Sequence, residues 1–205
     1  MPIKPLQAAD DVFARADRLM KAASSLRDPM LVDDMRRAAI AFGVAALDTY
    51  LHWAIADVPL HGKIPTALGR LEVPFSEMLE LSEAVVENRK KIRPKVRSRN
   101  TLERVILQHT FQSPRGVENA MLLLGKRNAF VKIADEIQPH QAPKDIQDRL
   151  GTIAGRRNQV VHEGDLQRQS RPQNIKREPV DLKQVKDDLL WLRSLVTAID
   201  SVLGT

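Results

Sequence analysis

Arg157, Asn158 and His162 are the residues of this chain whose types and spacing invite a chemical reading. Asn158 and His162 are four apart and project from one face of a helix; Arg157 lies one position away on a long arm. A guanidinium, a carboxamide and an imidazole are thereby grouped. The trio supplies a fixed positive charge and an imidazole that can take or give a proton. Arg157 also stands where the apolar stripe Ile146, Leu150, Ile153 asks for another apolar residue. A buried unpaired charge is expensive, so Arg157 must be paired or must face an interface or a cleft. His162 falls at the helix C-terminus, where the dipole favours a cation, and Glu163 beside it acts in the same direction. Spacing alone leaves a second reading open, in which Arg157 and Asn158 are a surface pair and His162 only answers the dipole.

Other chemistries lack their residues. The chain has no cysteine, which excludes a disulfide scaffold, a thiol nucleophile, a thiolate zinc site and an iron–sulfur cluster. His52, His61, His109 and His140 are scattered without ligand spacing, so no metal and no cofactor is expected. Leu124-Gly125-Lys126 is not a phosphate loop: Ala120 stands where the first glycine belongs, and no Ser or Thr follows the lysine. There is no Gly-x-Ser-x-Gly elbow.

The charge is uneven. Over 205 residues, 32 Lys+Arg against 26 Asp+Glu give +6. The segment 89–104 holds Arg89, Lys90, Lys91, Arg93, Lys95, Arg97, Arg99 and Arg104 against Glu103, a net of +7, so the rest is nearly neutral. A second basic stretch runs from Arg156 to Arg177, with Arg168, Arg171 and Lys176 between. Such runs are either solvated surface or a patch for a polyanion. Aromatic residues are sparse there, so phosphate positioning fits better than base stacking.

The elements that must position these groups read as helices almost throughout; no run has convincing strand alternation. Helices are expected near 7–26, 30–57, 76–88, 101–109, 113–124, 128–137, 144–163 and 181–203. Loops are expected at 58–75, where Pro59, Gly62, Pro65, Gly69 and Pro74 cluster, and at 164–180, with Pro94 breaking the basic segment. The second helix carries two apolar stripes, one through Ile40, Val44, Leu47, Leu51 and Ile55, the other through Met35, Ala39, Phe42, Ala46 and Trp53. Two stripes place it centrally in a bundle. Asp48 within it needs a partner such as an arginine, or an edge facing water. Gly151 and Gly155 cost the 144–163 helix about 1 kcal/mol each relative to alanine, and the usual return is close approach of another backbone. The longest apolar stretch, 38–58, is interrupted by Asp48, His52 and Asp57, and no basic-then-apolar leader opens the chain. The expectation is one all-α domain spanning 1–205, with an inserted subregion at 59–140, no membrane span and a cytoplasmic location.

The run Arg156-Arg157-Asn158-Gln159-Val160-Val161-His162-Glu163-Gly164-Asp165 resembles the signature of the HEPN superfamily: an arginine, a polar residue, and a histidine after four to six intervening positions. The continuation His-Glu-Gly-Asp is similar to the RiboL-PSP-HEPN clade. So is the arginine-led apolar helix from Arg37-Ala38-Ala39-Ile40-Ala41-Phe42 to Ala46-Leu47-Asp48-Thr49-Tyr50-Leu51-His52. The resemblance covers these two helices; the loop at 59–75 and the basic segment have no counterpart in it.

The resemblance implies a HEPN-like helical bundle that pairs two-fold as a homodimer, with two motifs facing one cleft. It implies a metal-independent endoribonuclease in a toxin–antitoxin, anti-phage defence or stress system, with an antitoxin or defence protein as partner. The substrate's 2′-hydroxyl would attack the adjacent phosphate. His162 would serve as acid or base, Arg157 would hold the phosphate and stabilise the developing charge, and Asn158 would orient the histidine or bond to a phosphate oxygen. Asp48 and Glu163 would support the site. Arg156, Lys90, Lys91, Arg93, Lys95, Arg97 and Arg99 would contact RNA. Some members carry a tyrosine two residues after the histidine as a modification target; here that residue is Gly164. Two other readings stand beside this one: a catalytically inactive HEPN module that binds RNA or protein, and a helical interaction protein in which Arg157 makes only a structural ion pair.

Overall fold

A computed structural model describes residues 3–87, 94–167 and 174–204. The described chain is all-α: eight helices, one 3₁₀ turn at Leu68–Arg70, and an isolated antiparallel bridge between Leu166 and Arg177. The helices are α1 (Pro5–Ala23), α2 (Pro29–Ala56), α3 (Phe75–Glu87), α4 (Pro94–Ile106), α5 (Pro114–Leu123), α6 (Ala129–Glu136), α7 (Pro143–Glu163) and α8 (Leu182–Leu203).

Local chemistry explains most boundaries. Proline opens α1, α2, α5 and α7, where its missing N–H has no helical partner to lose. Asp28, Ser113 and Asp181 cap α2, α5 and α8, each side chain accepting a first-turn N–H. Pro94 is the first residue of α4 rather than a break ahead of a helix at 101, so the basic segment is helical from 94 onward.

The core forms around α2. Its stripe Ile40, Val44, Leu47, Leu51 and Ile55 is buried throughout, whereas the second stripe grades outward to the half-exposed Trp53. α1 lies along α2 through Ala9, Phe13 and Ala16; α8 contributes Val185, Leu189, Leu192, Val196 and Ile199. Gly43 lets α8 come close, since a Cβ there would sit 2.6 Å from Leu189 Cδ2. Among the described residues α2 alone is long and apolar enough to cross a bilayer, and over half of that apolar window is buried against other helices. Leu102 and Ile106 of α4, Met121 of α5 and Ile133 of α6 join the same core cluster, so the 59–140 region packs into the bundle. α7 enters the core through Ile146, Leu150 and Ile153, and its C-terminal half then runs out along α2.

Candidate functional site

The C-terminal turns of α7 leave the core just where chemistry becomes possible. Asn158 and His162 are exposed, and Arg157 is half-buried. Five positions turn a helix by about 140°, so Arg157 and His162 leave the axis in different directions; Asn158 and His162 differ by only about 40°. Arg157 Nη1 donates to Asn158 Oδ1 at 3.1 Å, drawing the guanidinium toward the Asn158–His162 face. Arg157 Nε is buried without a hydrogen-bond partner, and no carboxylate among the described residues pairs with this arginine. A groove of about 420 Å³ lies alongside, lined by Asp34, Arg37, Ala38 and Ala41 of α2, Val160, Val161 and Gly164 at the end of α7, and Arg177.

The helix is stopped and held by a buried ion cluster. Gly164 and Asp165 both take the left-handed conformation, at φ +60 each, a region that glycine enters freely and aspartate tolerates. The Asp165 N–H returns to the Gln159 carbonyl at 3.0 Å. The turn drives the Asp165 side chain inward, where it is completely buried. Its Oδ2 accepts from Arg37 Nε at 2.6 Å and from Arg156 Nη2 at 2.7 Å. Arg37 Nη2 and Arg156 Nη2 also donate to the Glu178 carbonyl, while the Glu178 N–H donates to the Asp165 carbonyl. Burial by itself pushes the Arg37 guanidinium down. The hydrogen bonds and charges of Asp165 and Asp34 outweigh it and hold the group above the ordinary arginine value. One carboxylate thus ties α2, α7 and the strand-like segment at 176–178 together.

The predicted site residues divide accordingly. Arg157, Asn158 and His162 share one accessible helix end. Arg156, read from the sequence as an RNA contact, has its Nη2 committed to Asp165 and to the Glu178 and Pro179 carbonyls. Glu163 is half-buried in the final turn of α7. Asp48 sits three turns of α2 beyond Arg37, about 16 Å along the axis, and serves another end of the fold. It finds no arginine: it accepts the Phe111 N–H at 2.6 Å and Gln112 Nε2 at 3.0 Å, pinning the chain that follows α4.

Of the basic segment, Lys90, Lys91 and Arg93 lie outside the described residues, as do Arg89, Arg168 and Arg171. Lys95 falls in the first turn of α4. Arg97 is exposed, Arg99 donates to the Val58 carbonyl at 3.1 Å, and Arg104 pairs with Glu77 and Glu80 of α3. No group of three His, Asp or Glu able to hold a metal ion occurs among the described residues.

No family model, curated protein or solved structure matches this chain. The site must therefore be read from its own geometry. That geometry adds Asp165 and Arg37 to what residue spacing shows. The available signal was an aspartate directly after a helix-ending glycine, a place where a carboxylate either faces water or is held by a cation.

Proposed function

We propose that the chain is a metal-independent endoribonuclease of the HEPN type, whose site is completed by two-fold pairing of two copies at the end of α7. The observation that carries this reading is the exposed Asn158–His162 face with the Arg157 guanidinium drawn onto it by Asn158. One chain offers a proton-transfer group and an oxyanion-binding group; a second copy adds the second imidazole that a concerted acid–base cleavage needs.

In that composite site His162 of one copy takes the proton of the substrate 2′-hydroxyl. The 2′-oxygen attacks the adjacent phosphorus, and Arg157 stabilises the charge gathering on the non-bridging oxygens. The bond to the 5′-oxygen breaks, and the second copy's His162 supplies the proton that oxygen needs. The products are a 2′,3′-cyclic phosphate and a 5′-hydroxyl. A toxin–antitoxin, defence or stress role fits such an activity.

The test is cleavage of labelled RNA by purified wild type, His162→Ala and Arg157→Ala, with and without EDTA. The reading expects loss of cleavage in both variants with folding intact, and undiminished wild-type cleavage in EDTA. Equal cleavage by all three proteins removes the site assignment, and full inhibition by EDTA removes the metal-free mechanism. Strand binding without cleavage by wild type would favour the inactive binding module.

A further inference from the structure

A second polar site lies away from the α7 motif, where the 60–71 loop meets the turn between α5 and α6. A cleft of about 480 Å³ opens there, and Lys63, Arg70, Arg127 and Thr66 supply its polar side chains. No carboxylate lines it. All three cations are exposed, and none forms an ion pair or side-chain hydrogen bond among the described residues. Arg36, Arg37, Arg104, Arg149, Arg156 and Arg193 each have a carboxylate partner, whereas Arg18, Arg97 and Arg157 have none among the described residues; this cleft gathers three such cations on one concavity.

The cleft walls are held in place. The Gly69 N–H donates to the Pro65 carbonyl at 3.0 Å and the Arg70 N–H to the Ala67 carbonyl at 3.2 Å, while Leu68 anchors the loop in the core. On the facing side the Gly125 N–H returns to Leu122 and the Lys126 N–H to Met121. Gly125 adopts φ +78, and a Cβ there would lie 3.5 Å from Pro65, so the two walls meet at this glycine. Like charges gathered at a fixed concavity repel one another unless an anion neutralises them. We infer that this cleft binds phosphate groups, either successive phosphodiesters of a nucleic-acid strand or a free oligophosphate. Of Leu124-Gly125-Lys126 only Gly125 lines the cleft, and the cation on that wall is Arg127, so side-chain cations stand in place of a phosphate loop's backbone amides. The inference does not depend on cleavage at α7.

The experiment compares the full-length wild type with the triple variant Lys63→Ala, Arg70→Ala, Arg127→Ala and with a charge-matched control, Arg18→Ala, Lys183→Ala, Lys186→Ala, whose cations are exposed on α1 and α8. Two probes are titrated: a labelled single-stranded oligodeoxynucleotide, which has no 2′-hydroxyl to be cut, and inorganic tripolyphosphate. The cleft variant is expected to lose tenfold or more in affinity for at least one probe, with an unchanged thermal midpoint, while the control stays within threefold of wild type. Loss on the strand, with the salt slope falling by about 2 for three phosphate contacts, identifies the phosphodiester source. Loss on tripolyphosphate alone identifies the free oligophosphate. Wild type binding neither probe, or the cleft variant matching the control on both, overturns the inference. None of these outcomes alters the cleavage test at His162.

Discussion

Arg37 Nε reaches Asp165 Oδ2 at 2.6 Å across 128 residues of sequence, and both side chains are buried. This contact sets where α7 ends relative to α2, and so where the Asn158–His162 face points. Asp165 Oδ1 is left buried without a partner, so the cluster is arranged around one oxygen.

Asp165→Asn keeps the shape and the tolerance for a left-handed backbone but removes the charge that faces two guanidinium groups. Breaking a buried pair by removing one partner costs about 3–5 kcal/mol, because the surviving charge stays desolvated. Urea unfolding should show a loss at the lower end of that range, about 3 kcal/mol. A further Arg37→Met substitution should cost less in this background than in wild type, since Arg37 has lost its buried carboxylate and keeps only the exposed Asp34. Strict additivity would mean that the pair is not coupled.

Asn158 is assigned to positioning, because its contact is with Arg157 rather than with the reacting atoms. Removing it by Asn158→Ala should lower kcat by about tenfold to a hundredfold with folding intact, a fraction of the acid–base contribution of His162. The double variant Arg157→Ala, Asn158→Ala should be no slower than Arg157→Ala alone. Multiplying defects would show that Asn158 acts independently of the guanidinium.

What the sequence disclosed tracks the range of the interactions. The apolar stripes of α2 and α8 were legible because helical periodicity is local, and their predicted residues are buried with few exceptions. Pro94 misled the reading of α4 because a proline breaks a helix interior but opens a helix at its first position. Arg157 was legible as an anomaly in a stripe; of the two settings that the anomaly allowed, an ion pair or an open face, it is half-buried with Asn158 as its hydrogen-bond partner and with no carboxylate paired to it among the described residues. The partners of Asp48 were not legible: they come from 63 and 64 residues away, one of them a backbone N–H with no side-chain identity to read. Arg156 and Arg157 look equivalent as neighbours in sequence. A turn of about 100° sends the first into the Asp165 cluster and the second toward Asn158.

Gly155 is exposed on α7, and a Cβ added there would meet nothing within 4 Å among the described residues. A helical glycine that accommodates no neighbour within its own chain costs stability without return, unless a second copy packs on it. Gly155→Ala should therefore stabilise the fold by about 1 kcal/mol. Gly155→Leu should weaken self-association, read by light scattering, and reduce cleavage in parallel while the fold persists. A wild type that is monomeric at micromolar concentration would remove the composite site.

Asp188 on α8 offers a pH test of the scaffold. Desolvation by burial pushes its carboxyl above the usual aspartate value, against the opposing hydrogen bond from Gln184 and the charge of Arg149. A carboxyl raised in the folded state holds more protons than its unfolded counterpart between the ordinary value and the raised one. Stability therefore falls as pH rises through that interval. Asp188→Asn keeps an acceptor for Gln184 and cannot ionise. It should be more stable relative to wild type at pH 7 than at pH 3, measured by urea unfolding at both. An advantage that grows on acidification would reverse the sign and refute the assignment.

The basic segment can be tested with the intramolecular contacts spared. Arg99 holds the Val58 carbonyl and Arg104 holds Glu77 and Glu80, so reversing either would damage packing as well as charge. Arg97 is exposed, and Lys95 stands in the first turn of α4, where the helix dipole disfavours a cation. Lys95→Glu with Arg97→Glu should leave the thermal midpoint unchanged or slightly raised. RNA affinity should fall and its dependence on salt should flatten, because each lost phosphate contact removes about 0.7 from the slope of log affinity against log salt for a single strand. Extending the reversal to Lys90, Lys91 and Arg93 should deepen both effects. Unchanged affinity in the five-site variant would return the whole segment to solvated surface and leave the cleft at Lys63, Arg70 and Arg127 as the remaining candidate for holding the strand.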